Sequence, residues 1–161
     1  LRNPLGVNLH RLTMGQDREP VWSPDGSRIA FVRSDDGNAD IFILRKQKNG
    51  DWQDGAEITR LTQHDSDDRS PNWSPDARSL AFVSFRDGSG EIYSMMADGS
   101  KQRRLTNNVA DDLTPDWSPD GRHIAFVSHV YGQSEIFVMN ADGTQQRRLT
   151  DNTAEDFSPN W

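Results

Sequence analysis

The sequence predicts an all-β protein built of β-propeller blades, and three observations carry that prediction. A tryptophan anchor returns at Trp22, Trp73, Trp117 and Trp161, at intervals of 51, 44 and 44 residues. Each unit between anchors holds four short strand-like pieces, a to d. Every link between them is too short for a crossover, so neighbouring pieces run antiparallel. A period in the low forties with four strands per unit is the signature of a propeller blade rather than of a shorter-period solenoid.

Piece a reads Asp-x-x-Pro-x-Trp: Asp17 to Trp22, Asp68 to Trp73, Asp112 to Trp117 and Asp156 to Trp161. It runs into Ser-Pro-Asp-Gly, at Ser23 to Gly26 and Ser118 to Gly121, which suits a type I turn. Proline fixes φ early in the turn and glycine takes the left-handed position that follows. Ala77 replaces that glycine in the second unit, a change worth on the order of 1 kcal/mol if the turn geometry is kept.

Piece b is Ile29-Ala30-Phe31-Val32, Leu80-Ala81-Phe82-Val83 and Ile124-Ala125-Phe126-Val127. It is apolar at successive positions, where a sheet with one wet face would alternate. It therefore reads as a strand covered on both faces, as a blade packed between two neighbours must be. Piece c is Asp40 to Ile43, Glu91 to Ser94 and Glu135 to Val138. Piece d ends in Leu-Thr at residues 12–13, 61–62, 105–106 and 149–150. Asp98-Gly99 and Asp142-Gly143 mark c-to-d hairpins.

The units expected on this reading are a partial blade 1–13, blades 14–62, 63–106 and 107–150, and a partial blade 151–161. The first full blade carries an insertion at about 46–57 that includes Trp52. Three complete blades cannot close a ring, since closed propellers have roughly four to eight. The expectation is an open arc of a propeller of six or more blades, or a chain that self-associates to close the ring.

Net charge is −7 with a pI near 5.0, which disfavours nucleic acid or an anionic membrane as the main partner. No apolar run approaches the roughly 18 residues of a membrane helix, so no membrane insertion is expected. The absence of cysteine excludes disulfides and thiolate metal sites. No nucleophile elbow, phosphate loop or zinc motif is present. The chain itself is expected to be non-catalytic and to need no cofactor. The four histidines have no metal-ligand spacing, and the sequence leaves open whether a cation sits in the channel.

The candidate binding residues lie at one end of the repeat. Asp17, Asp68, Asp112 and Asp156 open the a pieces near one channel mouth. A ring of carboxylates there would attract a cation or a basic partner segment, or each Asp could instead accept backbone N–H bonds in the d-to-a turn. His64 in a d-to-a loop, and His129 and Tyr131 in a b-to-c loop, fall on the same face. Those two loop sets vary most between units, and varied loops on a rigid scaffold are where binding concentrates. Phe85 and Tyr131 would be the aromatics of a sugar or small-ligand site. Lys101 to Arg104 and Gln146 to Arg148 read as charges that blunt the exposed edge strand. Trp52 reads as a contact residue or as a local cap over the blade edge.

These motifs, with Glu-Ile-Phe-Val-Met-Asn-Ala-Asp-Gly and Arg-Arg-Leu-Thr, resemble the PD40, or WD40-like, repeat of the TolB family across nearly the whole chain. The resemblance implies a periplasmic or otherwise exported scaffold, usually six-bladed, that binds a protein or peptide partner. TolB itself binds the peptidoglycan-associated lipoprotein and is exploited by colicins. Similar repeats serve as substrate-gating propellers in prolyl-oligopeptidase-like serine peptidases, the alternative reading. A carbohydrate or small-ligand binder is a third.

Overall fold

The computed structural model describes residues 11–35, 37–46, 52 and 56–161. Residues 1–10 of the expected partial blade 1–13 and most of the insertion therefore lie outside the described residues. Among the described residues, twelve strands form three antiparallel four-stranded meanders. The first blade is β1 (Asp17–Trp22), β2 (Arg28–Asp35), β3 (Asn38–Arg45) and β4 (Glu57–Arg60). The second is β5 (Asp68–Trp73), β6 (Ser79–Asp87), β7 (Ser89–Met96) and β8 (Arg103–Arg104). The third is β9 (Asp112–Trp117), β10 (His123–Ser128), β11 (Glu135–Asn140) and β12 (Arg147–Arg148). Residues 151–161 form no strand, although Trp161 hydrogen-bonds to Asp116 of β9.

The non-alternating b pieces are buried on both faces, as their sequence requires. Residues 29–32, 80–83 and 124–127 are all buried. Their side chains feed two cores shared by two sheets each, and Ile29 and Phe31 feed a third on the first blade with Phe42 and Leu44. Ala30, Ile41, Ile43 and Leu61 of the first blade meet Trp73, Leu80, Phe82 and Met95 of the second. Ala81, Val83, Ile92 and Leu105 of the second meet Ile124, Phe126 and Met139 of the third. The blades are thus held by packing between sheets, the arrangement that the hydrophobic effect favours for a strand apolar on both sides.

The a-to-b turns close as the sequence demands. The Gly26 and Gly121 N–H groups donate to the Ser23 and Ser118 carbonyls at 2.8 and 2.9 Å, with φ of 65° and 69°. Ala77 holds the same turn at φ 58°. Its methyl group is buried at the junction of blades one and two. Left-handed strain of about 1 kcal/mol is therefore offset by burial of a methyl worth about 0.8 kcal/mol. We expect Ala77→Gly to shift stability by less than about 0.5 kcal/mol in urea denaturation. Gly121→Ala should cost about 1–2 kcal/mol, because its Cβ would also press on Pro75 Cγ at 3.3 Å. Equal effects at the two positions would mean that the neighbour contact plays no part.

Candidate functional site

The a strands are kinked by their proline. A strand proline has no N–H to give and is tolerated at bulges. The β1–β2, β5–β6 and β9–β10 pairings each slip at that point. The residue before each proline takes a left-handed backbone: Glu19, Ser70, Thr114 and Ser158, with φ between 48° and 52°. Non-glycine residues held there cost of order 1–3 kcal/mol each, and such strain clusters at functional sites. The three bulges and Ser158-Pro159, with Asn72 and Asp116, line one concavity of about 280 Å³. The Ser70 N–H donates to Glu19 Oε2 at 2.7 Å across the first junction. Asn72 Nδ2 donates to Asp116 Oδ1 at 2.9 Å across the second. The repeated Pro in each a piece was the sequence signal for these bulges, but nothing in a single residue announces that they converge.

The d-to-a and b-to-c loops do share a face. Asn38 Nδ2 donates to the His64 carbonyl at 2.6 Å. The His129 N–H donates to the Asp111 carbonyl and the Asp156 N–H to the Ser134 carbonyl, each at 3.0 Å. A second set of bonds latches successive units. Asp67 Oδ1 accepts the Ala39 N–H at 2.7 Å, Asp111 Oδ1 accepts the Gly90 N–H at 2.7 Å, and Glu155 Oε2 accepts the Ser134 N–H at 2.8 Å. Carboxylate acceptors make stronger bonds than neutral ones. The Glu155 carboxyl is held below its usual range by these Ser134 bonds.

The four aspartates do not form an open carboxylate ring. Asp17 is clamped by Arg33, whose Nε and Nη2 lie at 2.7 and 3.0 Å, and that bond lowers its pKa. Asp68 has no exposed surface and accepts two bonds from Arg86 Nη2, at 3.1 and 3.3 Å. Asp112 is equally buried, and Asp156 is half-buried, with Asn152 Nδ2 at 2.8 Å. The turn role considered for them falls elsewhere: in the d-to-a turns the Ser66, Ala110 and Ala154 N–H groups are accepted by the His64, Asn108 and Asn152 side chains. Carboxylates so close to low-dielectric sheets need partners at hand, which is why they point inward.

His64 is exposed, and its Nδ1 accepts the Ser66 N–H at 3.2 Å in its own turn. His129 Nε2 and Ser134 Oγ lie 2.9 Å apart. Tyr131 is 62% exposed, stacked on Phe137 with the Arg148 guanidinium 4.6 Å from its ring centre. Phe85 instead packs against the core between blades two and three, so it does not join Tyr131 as an exposed aromatic. Among the described residues no group of three or more His, Asp or Glu side chains is placed to hold a metal ion. Among the described residues no helix is long and apolar enough to cross a membrane.

The basic d strands also act inward. Arg104 Nη2 pairs with the fully buried Glu91 at 2.6 Å, and Thr106 Oγ1 donates to the same carboxylate at 2.6 Å. Arg148 and Thr150 repeat this on buried Glu135. The Thr150 hydroxyl leads the bonds that hold Glu135 at about 2. Asp87 joins Arg104 at 3.3 Å and accepts the Tyr93 hydroxyl. Burial, reinforced by that carboxylate, pushes Tyr93 up to about 12. Of the arginines expected as edge charges, Arg104 and Arg148 are therefore strand-to-strand staples, while Arg103 and Arg147 stay exposed on the edge.

A family model described as the TolB beta propeller domain, PD40, matches residues 11–127. The chain belongs to the TolB β-propeller family. It is 34% identical to the uncharacterized peptidase YuxL of Bacillus subtilis, over 50% of this chain and 12% of that protein. It is also 34% identical to the Tol-Pal system protein TolB of Bordetella pertussis, over 52% of this chain and 28% of that protein. The TolB structure from Agrobacterium tumefaciens superposes with a TM-score of 0.80 at 30% identity, covering 91% of this chain and 51% of that one. The chain thus spans only a small part of these curated relatives and about half of that structure.

Proposed function

We propose that the chain is a non-catalytic interaction scaffold, a TolB-like propeller segment that binds a protein or peptide partner on the face of the d-to-a and b-to-c loops. The observation that carries this reading is the contrast between the two faces. The opposite turns repeat almost unchanged and are stitched by their own Ser and Asp side chains. The loop face instead presents non-repeating, exposed side chains: Met14, Val109, Val130 and Tyr131, with His64 beside them in sequence pattern. The blade-to-blade carboxylate latches make that face a stiff support, which limits the ordering cost of binding. Similarity to Tol-Pal system proteins supports a protein partner and, by the same resemblance, a periplasmic or exported location. The four inward aspartates serve this function by bracing the loops, while the contacts fall to the exposed residues.

The test is calorimetric titration with purified peptidoglycan-associated lipoprotein as the probe. Combining Val109→Asp with Tyr131→Ala should weaken binding by about tenfold or more, whereas Arg122→Ala on the opposite turns should leave it unchanged. Equal losses from both faces, or no loss from the first, would remove the proposal. The similarity to a peptidase favours a second reading, a gating propeller beside a serine hydrolase domain. Peptide hydrolysis by a parent chain, abolished by replacing its serine nucleophile, would carry that reading instead.

A further inference from the structure

The first two blades each set a guanidinium against the aspartate that opens the a strand, and they draw it from different positions. In the first, Arg33 stands opposite Asp17 in the β1–β2 register and clamps it. In the second, Ser84 stands opposite Asp68, and Arg86, two residues further on, reaches it at 3.1 Å. Both guanidinium groups lie over the ring pair of their own blade. Arg33 is 5.3 and 5.2 Å from the Phe31 and Phe42 ring centres, and Arg86 is 5.9 and 4.7 Å from those of Phe82 and Tyr93. One seat filled from two chain positions is a property of the blade rather than of one residue.

The third blade builds the same seat with no arginine of its own to fill it. Asp112 stands opposite Ser128, on the face whose Ile124 and Phe126 pack against the second blade. Val130 holds the place of Arg86: its N–H donates to Ser128 Oγ at 3.4 Å, as that of Arg86 does to Ser84 Oγ at 3.5 Å. The ring pair persists as Phe126 and Phe137, with centres 5.6 Å apart against 5.7 Å for Phe82 and Tyr93. Gln102 Oε1 accepts from Arg86 Nη1 at 3.0 Å, and Gln146 matches Gln102, each donating through Nε2 to two carbonyls. Asp112 has no exposed surface, and its Oδ1 has no hydrogen-bond partner. A carboxylate buried in that state is unfavourable, and a planar guanidinium is its strongest match. Arg148 does not serve, because Glu135 and Asp151 hold it as Glu91 and Asp87 hold Arg104. Residues 63–150 are all described, so every strand that bounds this seat is in view.

We propose that the seat at Asp112 takes an arginine side chain supplied by the partner. The inference rests on the loop-face reading above and names the chemistry the partner brings there. Tyr131, 62% exposed, rests on Phe137, the ring that corresponds to the one beneath Arg86. The entering guanidinium takes that place, Asp112 Oδ1 and Gln146 Oε1 accept its N–H groups, and Tyr131 closes over it with a second ring face. Asp112 is thus the exception among the four inward aspartates. The others brace the loops with partners already in the chain, whereas this one holds an acceptor in reserve for the partner.

The probes are capped tripeptides, acetyl-Gly-Xaa-Gly-amide, with arginine, lysine or citrulline in the middle. They are titrated into the 161-residue chain and followed through the Val130 and Gly132 amide resonances. The arginine peptide should bind about tenfold or more tightly than the other two. Lysine carries the charge without the planar fork, and citrulline carries the shape without the charge. Val130→Arg supplies the guanidinium from within the chain, so it should abolish the response and raise the thermal midpoint. Asp112→Asn removes the counter-charge and should also abolish the response, which keeps the test in force if the arginine variant misfolds. Equal binding of the arginine and lysine peptides, or an arginine response that survives Asp112→Asn, overturns the proposal. The titration with peptidoglycan-associated lipoprotein separates the two claims. Lipoprotein binding by a chain that ignores the arginine peptide removes this inference alone. An arginine response without lipoprotein binding supports the seat and counts against the partner reading.

Discussion

Gly99→Ala and Gly143→Ala should each destabilise the fold by about 3 kcal/mol, the sum of backbone strain and a contact with nowhere to go. The two glycines have φ of 84° and 85° at the c-to-d hairpins of blades two and three. A Cβ at Gly99 would stand 2.9 Å from the Leu61 carbonyl oxygen, and one at Gly143 would stand 2.8 Å from that of Leu105. Both obstacles are backbone atoms of the preceding blade, so relief requires one blade to shift against another. Gln102 and Gln146 fix the same approach, donating to those carbonyls at 3.2 and 3.1 Å. Gly26→Ala is the control: φ is 65° but nothing lies within 4 Å of the added Cβ, so it should cost only about 1 kcal/mol. Urea denaturation of the three variants separates the terms. Matching losses at Gly26 and Gly143 would show that inter-blade approach adds nothing.

The sequence made the meander legible because each device in it acts locally. Proline and glycine set the a-to-b turn, Asp-Gly sets the hairpin, and the unbroken apolar run of piece b states that both faces are covered. The role of Gly99 and Gly143 was only half legible. Their hairpin position could be read, but the neighbouring carbonyl they approach is roughly forty positions away in the chain. Charge was harder still. Arg104 and Arg148 read as surface residues on an edge strand, yet their guanidinium groups cross to Glu91 and Glu135. Long side chains choose their partners by register, and β7–β8 register is set by only two paired positions. The aspartates show the same limit. Their recurrence before each Trp was visible, but whether Asp17 and Asp68 faced the mouth or the blade depended on arginines supplied by β2 and β6. Trp52 stood outside the repeat, so periodicity placed no constraint on it.

Those arginines are not repeated in the third blade, and the difference has opposite consequences for two equivalent carboxylates. Asp68→Asn should destabilise by about 2–3 kcal/mol, because it removes one partner of a buried pair. The Arg86 guanidinium, only 18% exposed, would keep Ser84 Oγ, Gln102 Oε1 and the Tyr93 ring but lose its counter-charge. Asp112→Asn should stabilise at neutral pH by about 1 kcal/mol, the order expected for relieving an unsatisfied buried group. Asp112 has no arginine: Asn108 Nδ2 reaches one oxygen at 2.7 Å, and the other lacks a hydrogen-bond partner. Burial, with the Glu91 carboxylate as a smaller contribution, pushes its pKa up, against the Ser128, Thr106 and Asn108 side chains, which lower it. The sign follows from linkage. As pH rises through the ordinary carboxylate range near 3.8, the unfolded chain releases this proton while the folded chain retains it. Stability from this group therefore falls with pH until the folded group also ionises. The advantage of Asp112→Asn should vanish in strong acid and grow through that window. Thermal melts across the acidic-to-neutral range decide it. A pH-independent difference, or the same sign of effect at positions 68 and 112, would show that the missing guanidinium is not what distinguishes the third blade.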